Sequence, residues 1–322
     1  MKKILIIILT IILGVNLVGC NLNFTEKNVN ITSLNGLPAV TISKLNVEEV
    51  EILKGYKTNY KIENKVETLK EDSLKGDLHI ALVPTDVAAQ IYNENKDYQI
   101  AGTIGLGSYY LVTSDNNITG FDSTLSSKKV AMVKENSMTD STTKSILVQN
   151  EVDVSSIDFQ YYNTEPEIVT ALASGQITTG IIPETSLTTL LYKHSGLKIL
   201  SSTNEAYEKA FNINEGYPQF SVIVKEEFAK ENPEYIKAFL KNLKESIDYI
   251  NENPVQSGAY GEKLGVPVKP QVLSKAIKRC NLKFISIKDF KNNYEKYFSN
   301  LYNYDTETVG GTVPDDSIYY EE

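Results

Sequence analysis

The sequence predicts an α/β protein of two lobes, each a mostly parallel sheet flanked by helices, with a ligand cleft between them. Three observations predict it. Strand-like apolar runs alternate with helical patterns along most of the chain. Polar corners recur where those strands pass into helices, in both halves of the chain. The length, 322 residues, suits two domains with a sizeable core each.

The N-terminus reads as an address rather than as part of the fold. Lys2 and Lys3 precede "ILIIILTIILGVNLV", a positive stretch followed by an apolar run. A run of about 15 residues is shorter than the roughly 20 that a membrane-spanning helix needs. It ends in "LVGC", Leu17 to Cys20, which resembles a bacterial lipobox. Small Gly19 suits a peptidase pocket, and the Cys20 sulfur is the atom that would take a diacylglycerol. Residues 1–19 are therefore expected to be a lipoprotein signal peptide. Residues 20–27 follow as a polar tether of at most about 25 Å when extended. The mature chain is expected outside the cytoplasmic membrane, lipid-anchored to its outer face.

After the tether, "NVNITSL" reads as a strand ending at "NGLPA", and a helix is expected from about Val40 to Leu53. "YKTNYKIE" is a strand, and "VETLKEDSLKG" is a helix closed by Gly76 as C-cap. A strand over Leu78–Val83 runs into a helix from Val87, and "YQIAGTIG" is the next strand. "SYYLVTSDN", "SSKKVAMVK", "IDFQYYN" and "TTGIIPETS" continue the strand pattern, the last three each passing into a helix. "YPQFSVIVKEEF" is a further strand. From Glu231 the chain reads almost wholly helical, with Pro233 near the first turn of a long amphipathic helix. The expected division is 28–114 plus 220–322 for lobe 1 and 115–219 for lobe 2.

Four corners carry the functional reading: Asn35-Gly36-Leu37-Pro38, Pro84-Thr85-Asp86, Ser137-Met138-Thr139-Asp140 and Pro183-Glu184-Thr185-Ser186. In open parallel sheets, ligands collect at the carboxyl ends of strands, where helix N-termini offer free N–H groups. Two corners in each half suggest two lobes that face one another.

Composition limits the alternatives. Net charge is −9, and without Lys2 and Lys3 it is −11, 30 basic residues against 41 acidic. A surface that acidic argues against nucleic acid as a partner. Two cysteines and two histidines, His79 and His194, make no metal cluster, so neither metal nor cofactor is expected. Cys280, with Cys20 lipidated, lacks a partner and reads as a partly buried thiol.

Four segments resemble motifs of the substrate-binding lipoproteins of ABC importers, in the nitrate/sulfonate/taurine and thiamine-precursor-like group with the type II periplasmic-binding-protein fold. They are "GDLHIALVPTDVAAQIYNEN", "EPEIVTALASGQITTGIIPE", "FAKENPEYIKAFL" and "VGGTVPDDSIYY". The chain departs from the group's pattern at "NGLPA", where Pro38 is displaced, and near Thr178 and Thr179, where an Asp is usual. The resemblance implies a monomer that captures a small-molecule solute in its interlobe cleft. It also implies an ABC permease and its ATPase as partners, and a membrane contact through the lipid anchor.

The corners and the resemblance together single out eleven ligand-binding candidates. Asn35, Gly36 and Pro38 form the first loop, with Gly36 allowing close backbone approach. Thr85 and Asp86 cap one helix, and Ser137, Thr139 and Asp140 cap another. Ser108 lies where the chain leaves lobe 1, and Tyr217 where it returns. Glu184 ends a strand of lobe 2. The carboxylates of Asp86, Asp140 and Glu184 would repel an anion, which favours a neutral or cationic solute. Catalytic residues are not expected. The competing readings are an enzyme on the same fold, with His79 or His194 as general base, and a surface sensor lipoprotein without a transport role.

Overall fold

The computed structural model describes residues 26–193 and 196–321. The signal peptide, Cys20, most of the tether and His194 lie outside the described residues.

Strand β1 (Lys27–Leu34) leads through α1 (Leu37–Thr41) and α2 (Ser43–Val47) to β2 (Tyr56–Glu63). Helix α3 (Val66–Lys75) returns the chain to β3 (Ile80–Pro84), and α4 (Thr85–Asn95) returns it to β4 (Tyr98–Leu106). The chain then crosses to a second sheet with β5 (Tyr109–Thr113) and β6 (Lys129–Val133). There α5 (Met138–Gln149), β7 (Asp158–Tyr162), α6 (Glu165–Ala173) and β8 (Thr179–Pro183) follow. Next come α7 (Ser186–Lys193), β9 (Lys198–Ser202) and α8 (Thr203–Phe211). Strand β10 (Pro218–Lys225) crosses back. The remainder is α9 (Glu226–Glu231), α10 (Pro233–Glu252), α11 (Pro254–Lys263), α12 (Pro270–Ala276), the short β11 (Ile285–Ser286) and α13 (Ile287–Tyr304).

The first sheet has the order β11-β4-β10-β3-β1-β2, and the second β7-β6-β8-β5-β9. Both obey one rule. β1 is parallel to β2 and β3, and β6 is parallel to β7 and β8. One antiparallel strand, β10 or β5, is inserted beside the third parallel strand. Each inserted strand is the one that has just crossed from the other lobe. This is the fold class the sequence predicts.

The expected boundary at 114 falls one strand late. Tyr109–Thr113 hydrogen-bonds to β8 and β9, so it belongs to the second sheet, and Pro218 and Gln219 already pair or lie within β10 of the first. The expected helix over Val40–Leu53 is two short helices ending at Val47. Val40, Ile42 and Leu45 are all essentially buried. The break falls at Ile42, which caps both short helices. By contrast, β2, α3 with its left-handed Gly76 cap, and α10 with Pro233 at its start match the sequence reading. Strand β3 is buried from Ile80 to Val83, as expected of a strand covered on both faces.

Helix α13 joins the lobes. Asn293 Nδ2 donates to the carbonyls of Asn214 and Gly216 on the returning crossover, 2.8 Å each. Tyr294 OH pairs with Ser221 Oγ of β10 at 2.8 Å, and Tyr297 OH with Thr142 Oγ1 of α5 at 2.8 Å. Its buried aromatic stripe thereby packs on both lobes.

Candidate functional site

A cavity of about 1130 Å³ lies between the sheets. All four corners reach it, through Asn35–Pro38, Pro84, Met138 and Pro183–Ser186. Solute sites are typically concave and mostly apolar with a few placed polar groups. Tyr109, Phe220, Val268 and Leu273 supply apolar wall here.

The first loop is fixed from within. Asn35 Oδ1 accepts the Gly36 N–H at 2.8 Å, and its Nδ2 donates to Asn64 Oδ1 at 2.8 Å and Gly265 O at 3.2 Å. Gly36 has φ 103°, a backbone that side-chain-bearing residues rarely adopt. A Cβ there would meet nothing within 4 Å, so its dihedral, not close packing, is what calls for glycine. Pro38 is buried and borders the cavity.

Where the lobes join, Gln219 Oε1 accepts from both the N–H (2.6 Å) and the hydroxyl (3.1 Å) of Ser108. One crossover thus holds the other at the cavity wall. The Ser108 carbonyl in turn accepts the Glu184 N–H at 2.8 Å.

Glu184 is buried and lines the cavity, but its charge is not free. Its Oε1 accepts from Arg279 Nε at 2.8 Å and Thr188 Oγ1 at 2.7 Å, and its Oε2 accepts the Thr188 N–H at 3.2 Å. Burial pushes its carboxyl above the usual range while Thr188 and Arg279 pull it back. Arg279 is the sole arginine of the sequence. It comes from the segment after α12, far along the chain, and sequence reading missed it.

Glu165 was missed too. It opens α6, lines the cavity, and accepts from Ser186 Oγ at 2.7 Å. Burial raises its carboxyl above the ordinary range. The rule that found the other corners, polar residues between strand and helix, also marks β7 to α6, where Thr164 is the N-cap.

Six of the eleven candidates do not line the cavity. Thr85 is fully buried, and its hydroxyl pairs with Ser221 Oγ at 2.7 Å. The N-cap of α4 is Pro84, not Thr85 or Asp86. Asp86 Oδ1 accepts the N–H of its own neighbour Val87, and burial pushes its carboxyl up to about 6. Ser137 is the N-cap of α5 and accepts from the Asp140 N–H. Thr139 is buried, its hydroxyl paired with the phenol of Tyr109. Asp140 is spent inside lobe 2, accepting from Lys144 Nζ, Tyr161 OH and the Asn136 N–H, all at 2.8–2.9 Å. Tyr217 donates or accepts at Thr203 Oγ1 (2.7 Å) and stacks on Tyr297 with centroids 4.8 Å apart. It packs so tightly on Gly107 that a Cβ there would lie 2.4 Å from its ring. Tyr217 thus packs between the two crossovers rather than on the cavity wall.

His79 is remote from the cavity lining. Its Nδ1 accepts the Asn30 N–H at 2.9 Å and its ring packs on Phe228. Burial and Lys225 hold its pKa below the usual value. Cys280 is fully, not partly, buried. Among the described residues no group of three or more His, Cys, Asp or Glu could hold a metal, and no helix is long and apolar enough to cross a membrane.

Comparison with known proteins agrees with this geometry. The family model described as "NMT1/THI5 like" matches residues 107–257. An ABC transporter structure from Parabacteroides distasonis is similar with TM-score 0.77 at 22% identity, covering 92% of this chain and all of that one. The periplasmic aliphatic sulphonate binding protein SsuA from Escherichia coli gives 0.70 at 13%, covering 92% of each chain. The periplasmic nitrate-binding protein NrtA from Synechocystis gives 0.58 at 12%, covering 91% of this chain and 84% of that one. No curated protein matches the sequence. The fold is the type II periplasmic-binding fold, and these matches fall in the same group that the motifs resemble.

Proposed function

We propose that this chain, a type II binding fold with an NMT1/THI5-like region, is an extracytoplasmic solute-binding lipoprotein. It captures a small organic solute between its lobes and delivers it to an ABC permease driven by its ATPase. The observation that carries the reading is the cavity itself. Both lobes wall it, at the carboxyl ends of parallel strands, and the chain crosses between the lobes beside it. Relatives in fold that are named for binding sulphonate and nitrate support the same role.

In this reading lobe 1 ends at the first crossover, near Gly107, and resumes at β10. Asn35, Gly36, Pro38, Ser108 and Glu184 face the solute. Solute binding shifts an open–closed equilibrium, and the closed form is the one the permease recognises. Cys20 carries the lipid that keeps the monomer at the outer face of the membrane. A binding protein of this kind needs no catalysis.

Two measurements test it. Native mass spectrometry of the mature chain, purified without denaturation, is expected to retain a small-molecule adduct that is lost on unfolding and refolding. A chain that takes up no solute would contradict the proposal. Metabolic labelling with radioactive palmitate is expected to mark the full-length chain and to fail with Cys20→Ser. Equal labelling of both would remove the lipid anchor from the account.

A further inference from the structure

Resting on the solute-binding reading above, we infer that the cleft selects a solute bearing a protonated amine over an anionic one, and that Glu165 is the residue that recognises it.

Helix N-termini usually make a cleft of this kind attractive to anions. Here protein carboxylates already occupy them. Asp140 sits in the first turn of α5 and accepts the Asn136 N–H at 2.9 Å. Glu184 accepts the Thr188 N–H of α7 at 3.2 Å. Glu165 stands in the first turn of α6. Asp140 is paired with Lys144 and Glu184 with Arg279, so Glu165 is the carboxylate of the three that adds uncompensated negative charge at the cavity wall.

The arginine is committed as well. The bidentate geometry of a guanidinium suits carboxylate, sulfonate or phosphate. The chain has one arginine, Arg279, and it is held by Glu184 at 2.7 Å. Lys193 and Lys269 border the cavity, but both are solvent-exposed at its rim.

Glu165 is different from the other two carboxylates. Among the described residues its sole hydrogen-bond partner is Ser186 Oγ, on one oxygen, and no ion pair is made to it. Its other oxygen has no protein partner, and the residue lines the cavity. A half-buried carboxylate without a cation is costly unless something supplies one. An ammonium group on the solute would do so, with its organic body against Tyr109, Phe220 and Leu273.

The test uses three probes of one shape, benzylammonium, benzyl alcohol and benzenesulfonate, titrated into the mature chain by saturation-transfer NMR at neutral pH. Benzylammonium is expected to bind at least about ten-fold more tightly than benzenesulfonate. Glu165→Gln keeps the acceptor for Ser186 and should lower that preference about ten-fold or more, leaving benzyl alcohol unchanged. Benzenesulfonate binding as well as benzylammonium, no benzylammonium binding, or a preference untouched by Glu165→Gln would overturn the inference. Thr189→Trp, at a half-buried position on the cavity wall, separates this from failure of the underlying reading. If benzyl alcohol binds and Thr189→Trp abolishes it, the cleft holds solute whatever Glu165 does. If Thr189→Trp changes nothing, the cleft is not the site.

Discussion

Arg279 and Glu184 meet at 2.7 Å between Nη2 and Oε1, joining the segment after α12 to the carboxyl end of β8 in the other sheet. The carboxylate is buried and the guanidinium about a third exposed. The Arg279 carbonyl also accepts the Tyr110 hydroxyl at 2.7 Å, so this residue ties the lobes by both side chain and backbone. Removing its charge leaves a buried carboxylate without its cation. Arg279→Met should lower stability by about 1–3 kcal/mol at pH 7, less than for a fully buried pair because the arginine is partly solvated. A carboxyl raised above 4.5 in the native state takes up its proton there first, so the penalty is full at pH 7 and fades as pH falls. Urea midpoints at pH 7 and near pH 4.5 check both size and sign.

Asp86 is held protonated further up the pH scale than a free aspartate, at about 6 rather than 3.8. Its native state therefore binds more protons than the unfolded chain between those values, and stability falls as pH rises through that window. Asp86→Asn removes the group. It should raise stability at pH 7 by about 1–2 kcal/mol, allowing for partial exposure, and flatten the profile between pH 4 and 6. Thermal unfolding across that range is the measurement, and an unchanged profile would contradict the assignment.

Asn204 clamps both crossovers. Its Oδ1 accepts the N–H groups of Gly107 and Tyr217, each at 3.2 Å, and its Nδ2 donates to the Glu215 carbonyl at 3.3 Å. Asn204→Ala orphans two buried donors and should cost about 2–4 kcal/mol. Amide exchange at Gly107 and Tyr217 should accelerate more than exchange in β3. Uniform acceleration would mean that Asn204 supports the fold without setting the hinge.

Ser137 caps α5 and stands outside the cavity lining. Ser137→Ala should cost about 1 kcal/mol of stability and leave solute affinity unchanged. A large loss of affinity at unchanged stability would return Ser137 to the binding surface.

These residues also show what the sequence could and could not carry. Strand–helix alternation is local, so β2, α3 and α10 are legible from period and cap residues alone. The corners are legible for the same reason, and all four border the cavity. Which side chain of a corner faces the solute is not local. Thr85 and Asp140 turn inward because Ser221 and Tyr161, brought by other strands, wait there, and Lys144 one turn along α5 adds to the hold on Asp140. Arg279 reaches Glu184 across 95 positions, with no local signal to announce the pairing. Of the three carboxylates expected to set the cleft's charge, Asp86 and Asp140 do not line it and Glu184 is neutralised. Glu165 carries the free charge, and the corner rule applied once more, to β7 and α6, would have found it.

Whether solute binds between the lobes is decided by a thermal-shift titration of the mature chain. The panel is nitrate, taurine, alkanesulfonates, thiamine precursors, riboflavin and amino acids, each run against wild type and Thr189→Trp. A ligand at about 100 times its dissociation constant adds roughly 2.7 kcal/mol, several degrees for a protein of this size. A saturable rise is expected in wild type, by an amine-bearing member, that Thr189→Trp abolishes. A rise that survives Thr189→Trp would place the site elsewhere and contradict it.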